Sequence, residues 1–388
     1  MHPDAAAAAA VDTERVTRLT ADLIACDTRN PPGGETPVIE TLQRWLRMLG
    51  AEVELFEPQP GRVSVLATLR SGRAATLLVN GHIDVVPVAE EDWTFPPFAG
   101  TVRDGLLYGR GACDMKGGVA AALEGVLACL DAGVRPAADL IFHLVADEET
   151  GGSLGTAALV AGDLVHADAA IVPEPTELGV CVAERGTLLV EIVVRGRAAH
   201  GSDPGRGRSA IADAAKIVSA LHLADFPEPT HPLVGKPTCN VGKIRGGAAA
   251  NVVASECCIQ VDRRVLPGQT VERALKAMTD IIDEVGDFDY GVEVMAFAEG
   301  SEIESDHPFV HSVLGASRQS TVRGLKLGTD ARFLRNNLKI PTVVYGPGSM
   351  SVAHAADEYV PIADLAAAAR TFARMYATFD GSQLRPTP

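Results

Sequence analysis

Two histidines and several carboxylates stand at places where side chains can do chemistry. Gly81-His82-Ile83-Asp84 closes an apolar run at Ala75–Asn80. Residues two apart on an extended chain point to one face, so His82 and Asp84 project together. An imidazole backed by a carboxylate is the usual way to fix a metal-ligating histidine. A lone histidine at a strand end is more commonly packed or simply exposed, and the His-x-Asp pairing is what raises the metal reading. Asp114 lies in Gly109-Arg110-Gly111-Ala112-Cys113-Asp114-Met115-Lys116-Gly117-Gly118. No strand leads into that segment in dinucleotide-loop register, and Asp114 reads as a ligand or as the N-cap of a helix over Met115–Leu130. Asp147-Glu148-Glu149 follows the run Leu140–Ala146, and Glu174 sits in Pro173-Glu174-Pro175-Thr176 after Ala169–Val172. His354 follows Thr342–Tyr345 and Gly346-Pro347-Gly348, a stretch that lets backbone approach a ligand closely.

Those runs alternate with helical patterns, which predicts an α/β fold with a largely parallel sheet. Open sheets of this kind place ligands at the carboxyl ends of their strands, so His82, Asp114, Glu149, Glu174 and His354 should converge on one sheet edge. Two histidines and three carboxylates without a thiolate suit two divalent cations, Zn²⁺ foremost, with Co²⁺ or Mn²⁺ as alternatives. Two such ions can share a hydroxide and polarise a carbonyl. Helices are expected from Val11 to Gly50, where Val16, Leu19, Leu23 and Ile24, then Val38, Ile39, Leu42, Trp45, Leu46 and Leu49, recur at helical spacing. His143 is expected to be packed mid-strand. His2, His166, His222, His231, His307 and His311 are expected in loops or on helix surfaces without carboxylate partners.

From about Glu184 to Ala298 the texture changes. Strands at Leu188–Val194, Thr238–Ile244, Val252–Val261 and Val292–Phe297 alternate with helices at Ser209–His222 and Val271–Val285. The order β-α-β-β-α-β is that of a ferredoxin-like sandwich. The expected division is therefore 1–183 with 299–388 as the metal-binding domain, and 184–298 as an insertion. The Ala5–Ala10 run and the proline-containing C-terminus are expected to be frayed ends.

Together these segments resemble the dinuclear-zinc peptidase family of acetylornithine deacetylase, succinyl-diaminopimelate desuccinylase, aminoacylase-1 and glutamate carboxypeptidase. The resemblance spans essentially the whole chain. It rests on GHIDVVP at 81–87, GRGACDMKGG at 109–118, DEE at 147–149, PEPT at 173–176 and His354 with Asp357-Glu358 beyond it. It implies that Asp114 bridges the ions, that His82 and Glu174 hold one, and that Glu149 and His354 hold the other. It implies further that Glu148 is the general base and that Asp84 orients His82. The insertion resembles the family's lid and dimerisation domain, in which His200 reaches the partner's site and stabilises the oxyanion. Asn251 and Arg264 match positions that grip a substrate carboxylate, although Arg263 and Arg264 are neighbours that face opposite sides of a strand. Gly328-Thr329-Asp330-Ala331-Arg332 looks like a substrate-side loop of the deacetylase and desuccinylase branch.

The expected activity is removal of a small acyl group, acetyl or succinyl, from an N-acyl amino acid. A dipeptidase or carboxypeptidase would use the same site, and a metal-binding protein without catalysis is the alternative from another class. Glu148 beside Glu149 weighs against the last, because binding a metal needs no base. The 388-residue chain has a formal net charge of −16, which argues against nucleic acid or an anionic membrane as a partner. Bound cations would neutralise part of that charge. No apolar run reaches transmembrane length, and Met1-His2-Pro3-Asp4 lacks the basic start of a signal peptide. Seven cysteines without a CxxC motif suit a reducing compartment, so a cytoplasmic protein is expected, and the resemblance of the insertion to a dimerisation domain implies a homodimer.

Overall fold

The computed structural model describes residues 2–384. Helix Thr13–Ile24 opens on Asp12, whose carboxylate accepts the Glu14 and Arg15 amides at 2.9 and 3.1 Å, a standard N-cap. Val16, Leu19, Leu23 and Ile24 are its buried stripe, and Val38, Ile39, Leu42, Trp45 and Leu46 form that of helix Thr36–Met48. The alanine run is not frayed. Pro3–Ala9 is a helix with Ala7 and Ala8 buried, and it packs on helices Lys116–Asp131 and Ile362–Thr378. Alanine has the highest helix propensity, and its methyl lets helix axes approach closely. The last four residues of the C-terminus lie outside the described residues. No helix among those described is long and apolar enough to cross a membrane.

The chain divides into two compact units. The first comprises the residues up to Val182, Ile303–Arg323, and those from Thr329 onward. At its centre Asp139–Val145, Thr76–His82, Ala169–Val172 and Thr342–Val344 run parallel in that order. Arg62–Leu69 pairs antiparallel with Asp139–Val145, and Glu52–Gln59 pairs antiparallel outside it. Hydropathy misses Glu52–Gln59 because it is a mostly exposed edge strand rich in charge. Because the four central strands are parallel, their carboxyl ends share one edge, and the segments bearing His82, Glu148, Glu149, Glu174 and His354 all leave from it.

Helix Lys116–Asp131 is buried along nearly its whole length, as expected of a helix that is apolar on every face. Its glycines permit that crowding. A Cβ on Gly118 would stand 1.8 Å from the Pro173 carbonyl oxygen, so the loop that carries Glu174 rests directly on the helix backbone. Glu124, in the same helix, is buried and accepts Arg15 at 2.6 Å and the Asp12 amide at 2.8 Å.

The second unit is Ala183–Glu302 with Gly324–Gly328, against the 184–298 expected from sequence. Its sheet is antiparallel, in the order Thr238–Gly246, Glu256–Val265, Gly186–Arg195, Asp289–Ala298. Helices Ala210–Leu221 and Val271–Val285 pack on the face made by Leu188, Val190, Ile192, Val194, Ile259 and Val261. That is the ferredoxin-like arrangement. The strand expected at Val252–Val261 is Glu256–Val265 instead. Val252 and Val253 pair with the segment at Ala199 and His200, which takes them out of the sheet.

Gly118→Ala should destabilise the protein by about 1–3 kcal/mol through overpacking against the 173–174 backbone. A denaturation midpoint equal to wild type would contradict that contact.

Candidate metal and catalytic site

His82 is the final residue of its strand, and its Nδ1 lies 2.9 Å from the Asp84 backbone carbonyl. A carbonyl oxygen only accepts, so Nδ1 carries a hydrogen and Nε2 is the nitrogen that faces the carboxylates, its lone pair open to a cation once its own proton is displaced. Nε2 stands 3.1 Å from Asp114 and 3.6 Å from Glu174. On the other side of Asp114, His354 Nε2 is 3.2 Å from Oδ2 and 3.1 Å from Glu149. Asp114 therefore lies between the two histidines, with Glu174 beside one and Glu149 beside the other. Asp114 does not cap the helix: the N-cap is Met115, with no side-chain hydrogen bond. Ligand-competent atoms of His82, Asp114 and Glu149 lie within 4.8 Å of one another, as do those of His82, Glu148 and Glu174.

Crowding of like charge governs the titration of these groups. Burial, then the charge of Asp114, pushes Glu149 and Glu174 above the usual carboxylate range. Burial also raises Glu148, against the pull of His82. Burial opposes ionisation of Asp114 too, but the hydrogen bonds from His354 and His82 outweigh it and hold Asp114 low. The hydrogen bonds that His354 donates to Asp114 and Glu149 raise it to about 10. His82 is raised as well, because its contacts with Asp114 and Asp84 outweigh burial. The Glu149 Oε1 atom is buried without a hydrogen-bond partner. An orphaned carboxylate oxygen among clustered acids and two imidazoles fits oxygen- and nitrogen-ligated divalent cations, which would supply the missing positive charge.

A further layer of residues holds this cluster. The Asp84 carboxylate is 3.5 Å from His82 Nδ1, farther than its own backbone oxygen, and it accepts the amides of Glu148 at 3.3 Å and Glu149 at 3.2 Å. It therefore ties the histidine strand to the acidic turn. The Asn30 amide donates to Asp84 at 2.9 Å. Asp147, in a left-handed conformation at φ 73°, accepts Arg62 at 2.9 Å, Ser153 at 3.0 Å and the Leu154 amide at 2.9 Å. Glu358 is fully buried, pairs with Arg110 and accepts the amides of Cys113 at 2.9 Å and Asp114 at 3.0 Å. In the 328–332 segment, Asp330 accepts Thr156 at 2.6 Å, and Arg332 donates to Gly151 at 3.1 Å just beyond the acidic pair. Sequence reasoning gave neither Asn30 nor Arg62 a role in the site. The Pro-Gly-rich loop around Asn30 reads as an ordinary turn, and a strand arginine carries no signal of its partner.

The other singled-out residues belong to the second unit. His200 is exposed, with Nδ1 2.7 Å from Ser202, and the Gly201 amide donates to the Asn251 carbonyl at 2.7 Å, so His200 and Asn251 share one loop pair. Arg264 is elsewhere, half-exposed and 3.0 Å from Asp262. Its neighbour Arg263 is buried under the helices, paired with Glu228 and 3.8 Å from the Phe226 ring centre, so only Arg264 is on the open face. His143 is packed, and burial lowers it to about 4, leaving it neutral. Two of the histidines expected to lack acidic partners have them: His231 lies 3.0 Å from Glu302 and His2 2.6 Å from Asp4. Loop closure across 71 residues and a local i+2 contact both escape a strand-and-helix pattern.

The profile of peptidase family M20/M25/M40 matches residues 78–378. Acetylornithine deacetylase of Myxococcus xanthus is 37% identical over 96% of this chain and 100% of its own length. That of Proteus mirabilis (strain HI4320) is 33% identical over 89% and 90%. Among solved structures, a tripeptidase from Staphylococcus aureus superposes with a TM-score of 0.78 at 24% identity, covering 95% of this chain and 98% of that one. The last comparison speaks to fold alone.

Because His354 titrates near 10, its ring is protonated in metal-free protein at neutral pH, and ligation must displace that proton. Calorimetric titration with Zn²⁺ in buffers of different ionisation enthalpy should show release of roughly one to two protons per chain. Affinity should rise as pH rises toward 10. Uptake without proton release would contradict the arrangement around Asp114.

Proposed function

The chain belongs to peptidase family M20/M25/M40, and on that footing we propose that it is a metal-dependent amidohydrolase that removes an acetyl group from an N-acetyl amino acid. The observation that carries the reading is the site itself: Glu148, half-buried, stands beside His82 and Glu174, in a cluster that Asp114, Glu149 and His354 complete. The names of the relatives, 33–37% identical over most of the chain, favour acetyl over succinyl and a basic amino acid such as ornithine over a dipeptide.

Asp114 would bridge two cations, with His82 and Glu174 on one and Glu149 and His354 on the other; Zn²⁺ suits these donors, as would Co²⁺ or Mn²⁺. Such ions, when bound, polarise a carbonyl and acidify water. Glu148 takes a proton from the attacking water as it adds to the acyl carbon. When the C–N bond breaks, Glu148 returns that proton to the amine nitrogen, and acetate and the free amino acid leave. Burial raises the Glu148 carboxyl, and bound cations would draw it back toward the ionised form that a base needs. Asp84 keeps the His82 tautomer fixed.

Asn251 and Arg264 are assigned to the substrate carboxylate, and His200 to the oxyanion of the tetrahedral intermediate. Donation of His200 from a partner requires a homodimer formed through the inserted unit. The exposed Val294 and Met295 on its edge strand are the surface we assign to that contact. The seven free cysteines are consistent with a cytoplasmic enzyme.

Assayed with Zn²⁺ or Co²⁺, a panel of N-acetyl and N-succinyl amino acids beside dipeptides should show N-acetylornithine turned over fastest. Hydrolysis of dipeptides alone would overturn the deacylase reading. Glu148→Gln should lower kcat by about 10²–10⁴-fold while metal content is kept, and an unaltered rate would remove Glu148 as the base. Light scattering should report a dimer, and an active monomer would leave His200 without its role.

A further inference from the structure

Glu148 is placed by its backbone. What acts on its carboxyl is burial and the charges of His82, Asp330, Glu149 and Arg332, none of which fixes a direction as a hydrogen bond does. Its amide, in contrast, is bonded to Asp84 at 3.3 Å, and the next amide is bonded to the same carboxylate at 3.2 Å. The residue before it, Asp147, is in a left-handed conformation that costs a non-glycine residue energy and persists only when its surroundings enforce it. Whatever holds Asp84 and Asp147 together therefore sets where Glu148 points.

Asn30 does this. Its side-chain amide nitrogen donates to Asp84 Oδ2 at 2.9 Å and to Thr150 Oγ1 at 3.0 Å, with Asp147 Oδ1 at 3.4 Å. The Thr150 hydroxyl passes the link on to Asp147 Oδ1 at 2.6 Å. Asn30 itself cannot wander. Its backbone amide bonds to the Val85 carbonyl at 2.8 Å, and the Thr28 hydroxyl bonds to the Ile83 carbonyl at 2.6 Å. Residues 28–30 thus run beside 83–85, immediately after His82. The side chain is 2% exposed, so both of its donated hydrogens are spent inside the protein. The residue type also suits the place. A neutral amide can bridge two buried carboxylates without cancelling the Asp84 charge that His82 needs, whereas Asp147 already has Arg62. Asn30 and Arg62 both lie outside the 78–378 stretch that the family profile matches.

We propose that Asn30 is a positioning residue for Glu148: its amide locks the Asp84 carboxylate and the 147–150 turn into one arrangement and so fixes the direction of the Glu148 carboxyl. This rests on Glu148 being the general base. Asn30 spends its amide on Asp84, Thr150 and Asp147 and so acts through its neighbours.

The test compares Asn30→Ala and Thr150→Val with wild type on N-acetylornithine, using the full chain loaded with Co²⁺. For Asn30→Ala, kcat should fall by about 10–100-fold, the range usual for loss of a supporting hydrogen bond around a metal site. KM should change by less than about threefold, and metal content and the visible Co²⁺ spectrum should stay as in wild type. Thr150→Val keeps the side-chain volume, removes the hydroxyl that links Asn30 to Asp147 and leaves the Asn30–Asp84 bond, so it should show a smaller fall in kcat of the same kind. It decides the matter if Asn30→Ala does not fold. A kcat within about twofold of wild type in the folded variants would overturn the proposal. So would a fall in kcat accompanied by a changed spectrum or lost metal, since Asn30 would then act on the ligands. Glu148→Gln, run in parallel, separates the two readings. If it keeps wild-type activity, the base assignment fails; if it is inactive while both other variants are unimpaired, only the positioning role fails.

Discussion

Packing of several carboxylates and two imidazoles at the carboxyl end of a buried parallel sheet is the constraint on which the first unit depends. Like charges in a poorly solvated place repel, and each must be matched or protonated. Asp114 is matched by His82 and His354, while Glu148, Glu149 and Glu174 are driven toward the protonated form. Divalent cations would relieve that conflict, because each brings two charges to a space of a few ångströms. The same crowding makes the site responsive to protons.

Holding such groups against their repulsion takes a rigid frame, and the frame is built from backbone as much as from side chains. Asp84 and Glu358 each spend a buried carboxylate on two consecutive main-chain amides, at 148–149 and at 113–114. The glycines of helix Lys116–Asp131 let that helix press on the Glu174 loop without side chains intervening. Left-handed backbone at Asp147 and His354 is held by other partners, Arg62, Ser153 and the Leu154 amide on Asp147 and Arg110 on the His354 carbonyl, as is common where strain serves a site. The inserted unit follows a different logic, with helices on one sheet face and Arg264 on the other.

Sequence legibility varied with the range of the interaction. Buried strands announced themselves as apolar runs, the amphipathic helices by their period, and the ligand candidates by position after those runs. Glu52–Gln59 was invisible because an exposed edge strand needs no apolar face. The alanine run misled because low complexity suggests fraying, while small side chains and high propensity make a good packing helix. Between Arg263 and Arg264 alternation alone could say only that they diverge. The core formed with Phe226 and Glu228 decides that Arg263 is the one inside.

By itself, the sequence determined which residue types follow which strands, and hence that two histidines and a set of carboxylates would meet at one sheet edge. That much follows from local rules: strand period, parallel connection and the direction of the carboxyl ends. Only the tertiary structure decided which atoms face one another, that Asp114 lies between the histidines, and that Asp84 serves the acidic turn as well as His82. It also brought Asn30 and Arg62 to that turn from 117 and 85 residues away. Contacts across such separations leave no periodic trace, because they are set by how sheet, helix and loop pack rather than by the chain's own geometry.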